Sequence, residues 1–493
     1  MRGRQARKEP TKCRKSLVCI YGVVSPLSHF LPQMSCLWHF RRRHFSTAPS
    51  FYFRLSLKQY VNPCLLKVPR MNILIYSSLW TASVGGVQSV TNTLARGLSE
   101  ESTRSDADHV EVTVATPTLA RTDYDIDSAF RVIGKIGFPE LVRLVWKSDI
   151  VHLAGPAMLP LVLAWLLHKK VVILHHGYQS VCPDGSLVHF AEQRVCADSF
   201  ASGDARDCLQ CRTAKIGWLR GLLSVAVAHP RLWLCRRVAA NIAVSEHVNQ
   251  RLQLPRTTTI YSASEEPSIP LDVEFPRSYL FESCNSPSNA PLFVFVGRLT
   301  SEKGVATLLH AAAELAAEDT EFRLRIIGDG PERARLAILA WALHLRDQIE
   351  FTGTLTGAAL EAAVSGSVAV VLPSVAEETA GQVAMEQMMR GRVVIAADIG
   401  GLGEIVGEAG LKFPSGDAAA LTKCLRRVIG DTELRAALGR AARSRALEHF
   451  TSQRMVDEHM ELYCRILERP TRARPPMRTP SGFSLSPRHK RAS

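Results

Sequence analysis

Leu292-Phe293-Val294-Phe295-Val296 runs apolar without a polar break, and a strand of that kind has to be covered on both faces. Short β-rich runs recur along the chain, with helical periodicity between them. The pattern predicts strands at 72–77, 109–115, 149–153, 170–175 and 239–244, and again at 292–297, 323–328, 349–353, 368–372 and 393–397. Strands alternating with helices form parallel sheets with helices on both faces, the doubly wound α/β class. Between the two sets lies a stretch rich in Pro, Ser and Asn, with Pro267, Pro270, Pro276 and Pro287, which reads as a linker. Two Rossmann-like domains are expected, at 71–262 and 291–450, joined by 263–290, with a last helical segment at 451–468. A ligand site is expected where the carboxyl ends of the two sheets face each other across a cleft.

The net charge of +14 suggests nucleic acid until it is divided along the chain. Residues 1–70 carry +13 and residues 469–493 carry +7, leaving 71–468 at −6. A mildly acidic body is not a nucleic-acid surface, and no such partner is expected. The basic first segment has three readings. It is a mitochondrial-type presequence around Arg41-Arg42-Arg43-His44, a basic tail, or a stretch ahead of a working start at Met71. The tail from 469 is disordered on composition. No run reaches the ~18–20 apolar residues of a membrane span. The expected location is cytoplasmic, or mitochondrial if the presequence is real.

Four turns carry the chemistry. Strand 72–77 leads to Gly85-Gly86-Val87 at a helix start, where backbone amides can approach an anion. Strand 292–297 stops at Gly297, and Arg298 and Lys303 follow five residues apart, a bidentate fork and a point charge suited to a diphosphate. Gly328-Asp329-Gly330-Pro331 reads first as a structural turn. Strand 368–372 delivers Glu378 to the cleft; a helix starts near Gly381, and Glu386 lies about a turn and a half inside it. Two acids around one helix start fit hydroxyl recognition better than a glycosidase pair.

Gly297-Arg298-Leu299 with Lys303-Gly304, then Gly328-Asp329-Gly330-Pro331, then Glu378 and Glu386 eight apart resemble a retaining glycosyltransferase of family 4, with its two-domain GT-B fold. The resemblance runs from Met71 to about Leu467 and includes Ala243-Val244-Ser245-Glu246 and Gly400-Gly401-Leu402-Gly403-Glu404. It implies a nucleotide-diphosphate-sugar donor and a carbohydrate or lipid-linked acceptor, in glycan, polysaccharide or glycolipid synthesis, with no cofactor needed for the chemistry. Arg298 and Lys303 would hold the diphosphate, Glu386 the ribose and Glu378 the donor sugar, with the Gly381 amides beside it. Glu404 would belong to a loop near the donor, and His176 would reach the donor sugar. The family often has Asp where this chain has Gly177, and its Asn-Gly near residue 260 is replaced by Tyr261-Ser262-Ala263. A sugar-nucleotide epimerase of the same fold and a non-catalytic nucleotide-sugar-binding scaffold stay open.

An insertion at 178–215 contains Cys182, Cys196, Cys208 and Cys211, the last two a Cys-x-x-Cys pair. Four soft ligands in a loop without its own core suit structural zinc or an iron–sulfur cluster; buried or redox-active thiols are the other reading. Asp106-Ala107-Asp108 reads as a solvated turn. Residues 215–237 mix Trp, Leu and Arg, which suits either peripheral membrane contact or a packed helix pair.

Overall fold

A computed structural model describes residues 71–468 except 79–85, 105–109, 119–129, 193, 197–204 and 265–289. The readings of 1–70 and 469–493, Gly85, Asp106 to Asp108 and most of the linker fall outside these residues.

In the first lobe, β1 (Met71–Ser77) is followed by α1 (Gly86–Arg104), β2 (Val110–Ala115), β3 (Arg131–Ile133), α2 (Phe138–Lys147), β4 (Ile150–Ala154), α3 (Met158–Leu166) and β5 (Lys170–His175). A small antiparallel hairpin, β6 (Val188–His189) and β7 (Arg194–Val195), precedes α4 (Ala205–Ile216) and α5 (Trp218–Cys235). The lobe continues with β8 (Ala240–Ala243), α6 (Glu246–Leu252) and β9 (Thr257–Thr259). Its seven-stranded sheet runs β3-β2-β1-β4-β5-β8-β9, parallel throughout. The order reverses at β1, where β1 pairs with β2 on one side and β4 on the other. That reversal opens a crevice at the strands' carboxyl ends.

The second lobe repeats the scheme with β10 (Leu292–Val296), α7 (Val305–Ala316), β11 (Arg323–Ile327), α8 (Arg333–Ala342), β12 (Ile349–Gly353) and α9 (Gly357–Val364). It goes on through β13 (Ala369–Leu372), α10 (Gln382–Met389), β14 (Val394–Ala397), α11 (Gly400–Val406), β15 (Leu411–Phe413), α12 (Ala418–Gly430) and α13 (Thr432–His449). The parallel order is β12-β11-β10-β13-β14-β15, with its reversal at β10. Phe293 and Phe295 face one buried cluster, and Leu292 and Val294 face the other. This is the alternation expected of a strand covered on both sides. The expected α/β class with two doubly wound sheets is what the chain forms.

The last helix, α14 (Ser452–Ile466), leaves the second lobe and packs on α1. Met455, Val456, Leu462 and Tyr463 join the first lobe's core. The fit is close at Gly97, where a Cβ would stand 2.3 Å from Val456 Cγ2. Met71, which opens β1, is buried in the same core and pairs with Val110.

Candidate functional site

The cationic loop is held from behind by the Gly-Asp-Gly-Pro turn. Leu299 N–H donates to the Asp329 carbonyl at 2.9 Å, and Glu332 N–H donates to the Leu299 carbonyl at 3.0 Å. The turn is therefore a brace for the segment that carries Arg298. On the far side, Gly304 sits at φ 65°, and a Cβ there would lie 1.8 Å from the Pro373 carbonyl oxygen. Only glycine lets this loop approach the end of β13 so closely. Val375 N–H then donates to the Glu302 carbonyl at 2.9 Å, closing the two loops on each other.

That closure brings Lys303 Nζ to 2.8 Å from Glu378 Oε1, an oxygen that also accepts a short hydrogen bond from Ser374 Oγ. Arg298 is exposed on the cavity wall and pairs with no carboxylate among the described residues. The cavity, of about 570 Å³, is lined by Arg298, Ser301, Lys303 and Glu378 from the second lobe. His176, Tyr178, Asp184 and Lys215 line it from the first. Asp184 is already bound by Arg212 and, at 3.0 Å, by Lys215. Burial works against its ionisation, yet Ser186, Lys215 and Arg212 hold its carboxyl below the usual range. Glu378 and Lys303 cancel as a pair, so the Arg298 guanidinium is the charge on this wall left for an incoming anion.

His176 follows β5. Its Nε2 is buried with no hydrogen-bond partner among the described residues, and burial, with His175 and His459 nearby, lowers the ring to about 4. The ring is therefore neutral at pH 7. Next to it, His175 lies between Asn241 Oδ1 at 2.9 Å and Ser180 Oγ at 3.1 Å, which fixes its orientation in the core.

Of the residues nominated from sequence, Arg298, Lys303, Glu378 and His176 share the cavity, and Gly381, Glu386, Glu404 and Gly86 lie outside its lining. Gly381 caps α10 in the left-handed conformation, φ 58°. Gly86 starts α1 opposite α10: a Cβ on it would be 3.8 Å from Gln382 Cβ. Two helix N-termini thus approach each other from the two lobes, and an anion relieves such an arrangement. Glu386 lies half-buried on α10, with its carbonyl accepting from Arg390. The Glu404 carboxylate accepts from Glu246 N–H at 2.8 Å, His247 N–H at 2.7 Å and Tyr261 O–H at 2.8 Å. It caps the start of α6 across the lobe boundary. Burial and the Glu404 charge raise the Tyr261 hydroxyl to about 12.

Other cross-lobe contacts carry no signal in either half of the sequence alone. Ser245 caps α6, accepting from Val248 N–H, and also donates to the Thr379 carbonyl at 2.6 Å. Thr379 Oγ1 donates to the His176 carbonyl at 3.0 Å, and Gln382 Nε2 to the Ala263 carbonyl at 3.0 Å. Glu377 accepts from Arg251 at 3.1 Å and meets His247 at 3.3 Å. Burial opposes its charge, but these two partners keep its pKa below the usual range.

The insertion's cysteines Cys182, Cys196, Cys208 and Cys211 are all thiols, with no disulfide among the described residues. Burial, together with Cys182, Cys196 and Cys211, pushes the Cys208 thiol up to about 12. Cys211 Sγ accepts from Phe190 N–H at 3.3 Å, and Cys182 joins the core. Among the described residues, however, no three or more His, Cys, Asp or Glu side chains are grouped so as to hold a metal ion.

The sequence profile of the family described as Glycosyl transferases group 1 matches residues 277–445. The 2-deoxystreptamine glucosyltransferase of Streptomyces kanamyceticus is 36% identical over 143 residues, 29% of this chain and 37% of that protein. The glycogen synthase of Mycobacterium tuberculosis is 29% identical over 326 residues, 64% of this chain and 69% of that protein. The chain thus spans little more than a third of the first of these relatives. Anabaena HepE in complex with UDP-glucose superposes with a TM-score of 0.59 at 16% identity, covering 79% of this chain and 98% of that one. The shared feature is the two-domain GT-B fold.

Proposed function

On the premise that its second lobe is a member of the glycosyl transferases group 1 family, we propose that this chain transfers a sugar, with retention, from a nucleotide-diphosphate donor to an acceptor hydroxyl. The observation that carries the reading is the cavity itself, where both lobes contribute to one space holding Arg298, the Lys303–Glu378 pair and the neutral His176. In the reaction the bond from the anomeric carbon to the diphosphate oxygen breaks, and a bond from that carbon to the acceptor oxygen forms on the same face. The acceptor proton ends on the departing phosphate. Negative charge grows on the diphosphate, and Arg298, Lys303 and the first amides of α10 would be the groups that meet it. The chemistry needs no cofactor on this reading. Glu378 would hold donor-sugar hydroxyls, Glu386 the ribose, and His176 would contact the sugar as a neutral ring.

A thermal-shift screen against UDP-, GDP- and ADP-sugars tests the binding half. A donor at about 100 times its Kd adds ~2.7 kcal/mol to stability, so one nucleotide class should raise Tm visibly. No response to any of them would count against the assignment. The anomeric configuration of the product, read by NMR, tests retention. Release of product only when an acceptor is supplied separates transfer from epimerisation and from a binding-only scaffold.

A structural metal at Cys182, Cys196, Cys208 and Cys211 would rest on the soft-ligand chemistry of four thiols carried by one insertion. Elemental analysis of the purified protein should then find about one zinc per chain, or iron with matching sulfide. A value near zero would leave the cysteines as buried thiols.

A further inference from the structure

Helix α5 is apolar on two opposite sides. Val225, Ala228 and Leu232 face the core. Leu219, Leu222, Leu223, Ala226, Val227 and Trp233, at helical spacing, form a second stripe that is exposed. A helix apolar all round is normally buried all round; this one leaves a full stripe in water. Trp218, at its start, is 69% exposed.

The stripe continues onto neighbouring helices. Trp165 and Leu166 of α3 are exposed beside it, with the Trp165 and Trp233 rings in edge-to-face contact at 5.5 Å. On α2, which packs on α3, Phe138 and Trp146 are 57% and 66% exposed. Four of the chain's seven tryptophans stand on this one face. Around it, Arg143, Lys147, Lys170, Arg220, Arg236 and Arg237 are exposed, and the exposed acid on these helices is Glu140. Arg237 stacks 3.8 Å over Trp233, and Lys169 lies 5.8 Å from the Trp146 ring.

We propose that the face formed by α2, α3 and α5 docks on an anionic lipid surface. Tryptophan and leucine side chains exposed together match the headgroup boundary, and cations at the rim with a single acid among them match negatively charged headgroups. Stacked arginines present their charge at the level of the ring they cover. No described helix is long and apolar enough to cross a membrane, so contact is lateral. The face begins at the cavity: Lys215, which lines it, is followed after Ile216 and Gly217 by Trp218. An acceptor held in the lipid surface would therefore lie beside the cavity mouth. Docking itself does not depend on the transferase reading.

The test is co-sedimentation of the full chain with phosphatidylcholine vesicles, with and without phosphatidylglycerol. The wild type should partition to the anionic vesicles. Trp218→Ala/Leu219→Ala/Leu223→Ala should lose the apolar part of binding. Lys147→Glu/Arg220→Glu should weaken it ~1,000-fold, since each cation near such a surface is worth about 1 kcal/mol and each reversal counts twice. Unchanged melting curves show that the variants fold. Vesicle binding equal to wild type in both variants would overturn the proposal and assign binding to the basic ends of the chain. Wild-type dimerisation without lipid, abolished by the triple variant, would overturn it in favour of a second copy.

Discussion

Lys303→Ala is expected to slow sugar transfer ~100- to 1,000-fold, the range seen when one stabiliser of developing negative charge is removed. The loss should appear in kcat as well as in KM, because charge on the diphosphate is greatest in the transition state. The local geometry adds a second effect. Lys303 sits 2.8 Å from Glu378, whose carboxylate is otherwise supported by Ser374. Without the ammonium, Glu378 becomes an uncompensated negative charge on the wall where, on the proposed reading, the diphosphate would bind. Lys303→Ala/Glu378→Gln should therefore bind the nucleotide more tightly than Lys303→Ala alone, while remaining slow in turnover. Calorimetric titration with the donor found in the thermal-shift screen, together with steady-state rates, separates the two effects. If Lys303→Ala turned over within about a factor of three of wild type, the cationic loop would not be the diphosphate grip.

Acidification should unfold the protein steeply between pH 6.5 and 4. His175, His176 and His459 are each lowered to about 4, mainly by burial, and His152 is lowered well below the normal value by burial with His459 and His176 nearby. An unfolded chain takes up those protons near pH 6.5 and the native one does not. Stability therefore falls as pH drops through this window and levels off below the native values. Each unit of difference is worth ~1.4 kcal/mol, so the histidines together account for a loss of several kcal/mol by pH 4. Two of the four, His152 and His459, meet where α14 packs on the first lobe: Tyr463 Oη and His152 Nδ1 are hydrogen-bonded at 2.8 Å, and the His152 and His459 rings are 5.7 Å apart. His459 Nε2 is buried with no hydrogen-bond partner among the described residues. His459→Phe should thus fold, and it should flatten the pH dependence by about one proton. Denaturant midpoints across this range give the answer, and a flat profile in the wild type would refute the account.

The central strands were legible because burial on both faces writes itself as an unbroken apolar run, as at Leu292–Val296. The edge strands β3 and β15 were not, being three residues each. The hairpin β6–β7 is shorter still, at two residues a strand, too short for any period to show. Arg298, Lys303 and Glu378 could be nominated from sequence because each follows a strand at the sheet's carboxyl edge. The use made of Glu404 could not. A carboxylate seven residues beyond the end of β14 gives no hint that its partners are the amides of Glu246 and His247. Ser245 carried a partial signal, since a serine after a strand is a helix cap; its second bond, to Thr379, belongs to tertiary structure alone.

Residues 377–382 hold Glu378 in the cavity and also supply the first lobe with Glu377, Thr379 and Gln382 as anchors. Tilting the halves apart by a few degrees would sever those anchors and drag the carboxylate with them. The cross-lobe clamp and the Glu378 carboxylate are one piece of chain, so a partly ajar molecule cannot keep the cavity wall intact. Substitutions at Ser245 or Arg251, which lie outside the cavity lining, would then mimic damage to the cavity itself when judged by rate alone.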